Sequence, residues 1–168
     1  VACKPNYYIA PTNKDKHGKE LWNHHKMVKR TMFNYDGVEG GKTGYTTKAG
    51  GTLVTFAKRG DQELIAVDLC AHGYELYEDT IKMLNYGFNN YKTIAPFKTM
   101  NTVLKDDTYG FLKTGNELSP YKIPLKHLND VTVMLEKKQS ASKLTYKCKD
   151  NKYIISYDGK QIGSVKLH

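Results

Sequence analysis

The sequence predicts an α+β protein in two parts: an antiparallel sheet carrying one packing helix, then a small all-β domain, with residues 1–95 and 96–168 as the two domains. Three patterns carry that expectation. The apolar, β-branched runs Thr52-Leu53-Val54-Thr55-Phe56-Ala57 and Leu64-Ile65-Ala66-Val67-Asp68-Leu69 flank the turn Arg59-Gly60-Asp61, which makes a hairpin. Tyr77, Ile81, Leu84, Phe88 and Tyr91 then recur at helical spacing, so they share one helix face. Beyond Pro96 the helical period does not return, and short strand-like segments separated by turns follow.

Taken in order, the chain opens with Tyr7-Tyr8-Ile9, a turn at Pro11-Thr12-Asn13 and a polar run to Glu20. Leu21, Trp22, Met27, Val28 and Met32 follow at loose spacing, a short helix or an irregular packed loop. Asp36-Gly37 and Gly40-Gly41 are turn signals ahead of a short segment over 42–46. In the hairpin, Val54, Phe56, Ile65 and Val67 are expected to pack. Glu75, Glu78 and Asp79 lie toward the start of the helix and Lys92 just past its end, as the helix dipole favours. Residues 92–96 read as a linker. Strands are expected at 99–104, 109–113, 121–125, 131–136, 144–148, 153–156 and 162–165, with turns at Asp150-Asn151 and Asp158-Gly159.

Composition narrows the function classes. With 39% hydrophobic and 26% charged residues in 168, the chain is neither an integral membrane protein nor a disordered tail. The formal charge of +9 favours anionic partners such as nucleic acid, anionic lipid or an anionic wall polymer. Most of the excess lies beyond Pro96, spread singly, which argues against a sequence-specific nucleic-acid module. Cys3, Cys70 and Cys148 are too far apart for a metal signature, a redox pair or a disulfide framework, and Cys3 and Cys70 are expected to be buried or unremarkable thiols. The start at Val1, without an initiator Met or signal peptide, fits a processed or excised fragment.

Chemistry concentrates at Lys42-Thr43-Gly44: a cation, a hydroxyl and a missing side chain directly after two glycines. On a strand facing a cleft, Lys42 and the Thr43 hydroxyl can hold an anionic group while Gly44 admits a ligand close to the backbone. A phosphate-binding P-loop is a poor explanation, because Gly37 stands four positions before Gly41 rather than five. The second copy, Lys113-Thr114-Gly115, lacks the glycine-rich approach and reads as a solvated turn.

The stretch from Asp36 through Gly41-Lys42-Thr43-Gly44-Tyr45-Thr46, with Ala49-Gly50, Leu53-Val54, Ala57-Lys58-Arg59 and Leu64-Ile65-Ala66-Val67, closely resembles the KTG region of the serine D-alanyl-D-alanine carboxypeptidases, the low-molecular-weight penicillin-binding proteins of peptidase family S11. Leu84-Asn85-Tyr86-Gly87-Phe88 is similar to the closing helix of that family's catalytic domain, and Asp158-Gly159-Lys160-Gln161-Ile162-Gly163 to its last hairpin. The resemblance implies that residues 1–95 are the C-terminal part of a penicillin-binding, serine β-lactamase-like transpeptidase domain and 96–168 a small β-sandwich-like domain. It assigns Lys42 to positioning the substrate carboxylate, Thr43, Gly44 and Thr46 to the same subsite, and the Tyr45 backbone N–H to an oxyanion hole. It also implies acyl transfer from the terminal D-alanine of a peptidoglycan stem peptide, acylation by β-lactams, no metal and no cofactor, and a bacterial extracytoplasmic location at the cell wall or outer face of the cytoplasmic membrane.

The family also needs a SxxK motif and a SxN motif before KTG, and no serine precedes Lys42. Ser140-Ala141-Ser142-Lys143 fits SxxK as a string but lies after KTG, between expected strands. The nucleophile is therefore absent, and the isolated chain is expected to be inactive. The partner expected is an N-terminal portion of the same enzyme, as a separate chain, carrying SxxK and SxN; a truncated product and a non-catalytic wall-binding or structural module derived from the family stay as alternatives. His17, His24, His25 and His72 match no metal spacing and read as surface or core residues, and Asp106-Asp107 reads as a turn.

Overall fold

The computed structural model describes residues 2–29, 32–96, 102–104, 109–114, 117–118, 123–124, 131–150 and 152–166. The chain divides into two compact units, Val1–Asn89 and Asn90–His168.

In the first unit, β1 (Asn6–Ile9) and β2 (Lys19–Trp22) form an antiparallel hairpin, where the sequence suggested only a loose packed segment. The turn at Asp36-Gly37 feeds β3 (Val38–Thr46), which pairs with β4 (Gly50–Arg59), and β4 pairs with β5 (Gln62–Ala71) across the expected Gly60-Asp61 turn. The result is a three-stranded antiparallel sheet in the order β3-β4-β5. Helix α1 (Glu75–Asn90) packs on one face, burying Tyr77, Thr80, Leu84 and Phe88, with Glu75 and Glu78 in its first turn. Tyr91 lies past its end, in the next strand.

The sheet faces are the reverse of those expected. Leu53, Thr55, Ala57 and Ala66 are buried beneath the helix side, whereas Val54, Ile65 and Val67 are exposed and Phe56 is only half-buried. The register explains the grouping: Val54 stands opposite Val67 and Phe56 opposite Ile65, so all four share the helix-free face. Both alternating sets are apolar, and the set with small alanines is the one that lets the helix come close. Met27 and Phe33 complete this core, with the Phe33 ring stacked on Tyr77 at 4.7 Å between centroids. Arg59 lies over the Tyr35 and Phe88 rings at 4.5 and 4.6 Å, tying the approach to β3 onto the helix.

In the second unit, β6 (Tyr91–Ile94) pairs with β11 (Val133–Glu136), so residues 92–94 of the segment read as a linker lie in a strand whose residues are all half-buried. Strands β7 (Thr102–Leu104), β8 (Tyr109–Thr114), β9 (Glu117–Leu118) and β10 (Ile123–Pro124) form a second sheet around β8. Strands β12 (Leu144–Lys149), β13 (Lys152–Tyr157) and β14 (Lys160–Lys166) form a third. Val133, Leu135, Leu144, Tyr153 and Ile155 make the core. Asp158 and Gly159, at φ 50° and 79°, supply the expected two-residue turn between β13 and β14. Asp106-Asp107, Gly115 of the second KTG-like triplet, and the parts of the expected strands at 99–101, 121–122 and 125 lie outside the described residues.

Candidate functional site

Lys42, Thr43 and Gly44 lie on β3, which pairs on one side with β4 and has its other edge toward the 2–24 segment. Lys42 stands opposite Val54, so its side chain rises from the helix-free apolar face; its ammonium donates to the Thr43 carbonyl. Thr43 points the other way and is half-buried. Gly44 allows a close approach, because a Cβ there would lie 2.5 Å from Thr52 Oγ1. Gly41 donates its N–H to the Ala2 carbonyl, away from β4, at 3.4 Å. Backbone polar groups alternate along an antiparallel strand, so the Thr43 and Tyr45 N–H groups face that same free edge. The Tyr45 ring is 76% exposed and contributes no packing. Thr46 Oγ1 accepts from the Ala49 N–H at 3.0 Å, closing the β3–β4 turn.

Two clefts flank the edge. One, of about 300 Å³, borders residues 41–43 and is lined by Tyr7, Leu21 and Trp22 of the first hairpin together with Lys4. The other, of about 410 Å³, borders residues 43–45 and is lined by His24, His72 and Tyr74. No carboxylate lines either cleft among the described residues, and Lys4, Lys26 and Lys42 make the surroundings electropositive.

The support beneath this edge escaped the sequence reading. His25 is fully buried, with Nε2 2.9 Å from Thr55 Oγ1 and its ring edge-on to Tyr77. Burial pushes its pKa below the ordinary 6.5. Gly41 makes room for it: a Cβ at Gly41 would lie 2.6 Å from the imidazole. Asn23 fixes the 2–5 segment along the edge, donating to the Ala2 and Lys4 carbonyls at 3.1 Å and accepting from the His25 N–H at 2.9 Å. Neither residue belongs to a local pattern; only the pair of glycines before Lys42 hinted that something large lies close.

His17, His24 and His72 are exposed. Cys3 and Cys70, expected as buried or unremarkable thiols, are not buried: both are exposed and free, and Cys70 sits at the end of β5 with φ 63°. The Cys148 side chain lies outside the described residues. Ser140, Ser142 and Lys143 occupy an exposed single 3-10 turn, where Ser140 Oγ lies 2.8 Å from Ser142 Oγ and the Lys143 ammonium pairs with Asp158 at 3.1 Å, directed away from a nucleophile–base contact. Among the described residues, no group of three or more His, Cys, Asp or Glu is placed to hold a metal ion.

The fold is that of penicillin-binding carboxypeptidases. Penicillin binding protein 5 from Haemophilus influenzae superposes with a TM-score of 0.58 at 22% identity, over 99% of this chain and 48% of that one. The D-alanyl-D-alanine carboxypeptidase DacD from Francisella tularensis gives 0.52 at 18%, over 92% and 40%. Residues 6–73 match the family model of the peptidase S11 D-alanyl-D-alanine carboxypeptidases. The D-alanyl-D-alanine carboxypeptidase DacF of Bacillus subtilis (strain 168) is 30% identical over 154 residues, and DacC of Escherichia coli (strain K12) is 35% identical over 77. The chain is thus similar to members of the D-alanyl-D-alanine carboxypeptidase family. The DacF match covers 89% of this chain but 37% of DacF, and the DacC match covers 45% of this chain and 18% of that protein, so the chain spans less than half the length of these relatives.

Proposed function

We propose that this chain is the KTG-bearing portion of a serine D-Ala-D-Ala carboxypeptidase, which trims the terminal D-alanine from peptidoglycan stem peptides and is acylated by β-lactams. The observation that carries the reading is the edge of β3, where Lys42 and Thr43 stand beside electropositive clefts and the Tyr45 N–H faces outward. The serine nucleophile and its lysine base come from an N-terminal portion with SxxK and SxN, supplied as a second chain. An extended peptide laid along the free edge of β3 places its terminal carboxylate near Lys42 and the Thr43 hydroxyl, with Gly44 and Thr46 shaping the same subsite. The serine adds to the penultimate carbonyl, and the resulting oxyanion accepts hydrogen bonds from the Tyr45 N–H and the serine's own N–H. Collapse of that intermediate expels D-alanine, and water then hydrolyses the acyl-enzyme. The enzyme works outside the cytoplasm, at the bacterial cell wall or the outer face of the cytoplasmic membrane, where its substrate lies.

A fluorescent penicillin tests the reading. The isolated chain takes up no covalent label, and mixing with an N-terminal portion carrying SxxK and SxN restores labelling on that portion's serine. Stable labelling of the isolated chain at Ser140 or any other residue sinks it.

A further inference from the structure

The exposed face of the β12–β13–β14 sheet carries a line of like charge that the carboxypeptidase reading does not use. The register sets Lys149 opposite Lys152 and Lys152 opposite Lys166, one lysine from each strand in a single row. Lys147 lies two residues from Lys149 on the same face of β12. All four are exposed, while the alternate residues Tyr153 and Ile155 fill the core beneath them. Neighbouring strands lie about 4.8 Å apart, so the three stems of the row rise within about 10 Å. Lys58, Lys82, Lys138 and Lys143 each pair with a carboxylate, whereas Lys147, Lys149, Lys152 and Lys166 are in no ion pair among the described residues. Among the described residues, Asp150, in the turn from β12 to β13, is the carboxylate next in the chain to the row. Like charges directly opposite one another destabilise a sheet, so the row opposes folding and points to a partner outside the chain.

We propose that this row binds a linear polyol-phosphate polymer lying across the three strands. A line of cations matches a linear polyanion, whose phosphates sit at intervals the flexible lysine stems can meet. A bilayer spreads its phosphates over a plane and favours apolar or aromatic side chains beside the cations. The residues next to the row on this face are Ser164 and the half-buried Ile154. Nucleic acid would call for an aromatic side chain to stack a base, and the tyrosines Tyr153 and Tyr157 of β13 belong to the core side.

The test uses the full 168-residue chain and end-labelled poly(glycerol phosphate), followed by fluorescence anisotropy. The triple variant Lys149→Gln, Lys152→Gln, Lys166→Gln is compared with Lys14→Gln, Lys16→Gln, Lys19→Gln, which removes the same charge from exposed positions of the first unit. The row variant is expected to bind at least about tenfold more weakly and to lose about 2 from the slope of log affinity against log salt, as three fewer counterion-releasing contacts require. The control stays within about threefold of the parent. The polymer raises the melting temperature of the parent and the control but not of the row variant, which alone melts no lower than the parent. Equal losses in the two variants, no binding by the parent at low salt, or tighter row-dependent binding to phosphatidylglycerol vesicles or to oligodeoxythymidylate of the same phosphate number overturns the proposal.

Discussion

Gly41 and Lys42 are neighbours on β3 with separable roles, and substitution can tell them apart. A methyl group at Gly41 would lie 2.2 Å from the Val54 carbonyl and 2.6 Å from the His25 ring, itself held by Thr55 and Tyr77. Gly41→Ala is expected to cost about 1–3 kcal/mol by overpacking, read from the urea midpoint; an unchanged midpoint would show that the ring has room to move. Lys42 is exposed and packs against little. Lys42→Ala should therefore keep the parent's melting temperature while slowing acylation in the reconstituted enzyme by about 10²-fold, the scale of removing one preorganised electrostatic group. Lys42→Arg recovers part of that rate, and a Lys42→Ala rate within about twofold of the parent removes this residue from the chemistry. His25 adds a pH dependence of definite sign. Its folded pKa lies below 6.5, so beneath that pH the unfolded chain takes up a proton that the folded chain refuses. Stability is constant in this respect above 6.5 and falls as pH decreases toward the folded pKa, by at most about 1.4 kcal/mol per pH unit. His25→Gln flattens that part of the profile; superimposable pH profiles for parent and variant between pH 5 and 7 refute the assignment.

In the β4–β5 hairpin, strand phase rather than strand existence is where the sequence ran out. The hairpin of β4 and β5 and the span of α1 were legible because each has one clear period and a turn signal at its end. The buried phase was not, because both phases of β4 and β5 are apolar and only the docked helix distinguishes them. Residues 92–94, inside the segment read as a linker, form part of a strand whose four residues are all half-buried and show no alternation to mark it. Leu84 and Ile65 make the distinction measurable. Leu84 is buried between helix and sheet, and Leu84→Ala should cost about 2–5 kcal/mol. Ile65 is 68% exposed, and Ile65→Thr should stay within about 0.5 kcal/mol; a cost like that of Leu84→Ala would mean that the face is covered in the isolated chain. Asp68, on the helix side of β5, has a buried Oδ2 without a partner, and burial followed by the charge of Asp79 raises its pKa. A carboxyl raised in the folded state is destabilising when ionised, so Asp68→Asn should stabilise the chain at pH 7. That advantage disappears as pH falls through the carboxylate range and Asp68 itself becomes protonated.

The KTG triplet and its strand could be read from residues alone, but the completeness of the site could not, because on the proposed reading catalysis depends on a serine and a lysine that these 168 residues do not place beside KTG. The physical trace of that dependence is the helix-free sheet face, where Val54, Ile65, Val67 and Leu69 are between 40% and 68% exposed. Soluble chains seldom leave so many neighbouring apolar side chains uncovered unless another surface covers them. Lys42 rises from this same face, opposite Val54, so on the proposed reading the portion that brings the serine also covers the apolar residues. One substitution separates assembly from chemistry. Val67 is 50% exposed in the isolated chain, so Val67→Asp should leave its melting temperature nearly unchanged. A carboxylate there would have to be dehydrated when the second portion docks, which blocks association. Val67→Asp should therefore fail to co-purify with the SxxK-bearing portion and fail to restore penicillin labelling, whereas Lys42→Ala co-purifies normally and labels slowly. If Val67→Asp assembles and labels like the parent, this face is not the contact, and the nucleophile must reach Lys42 from the free edge of β3.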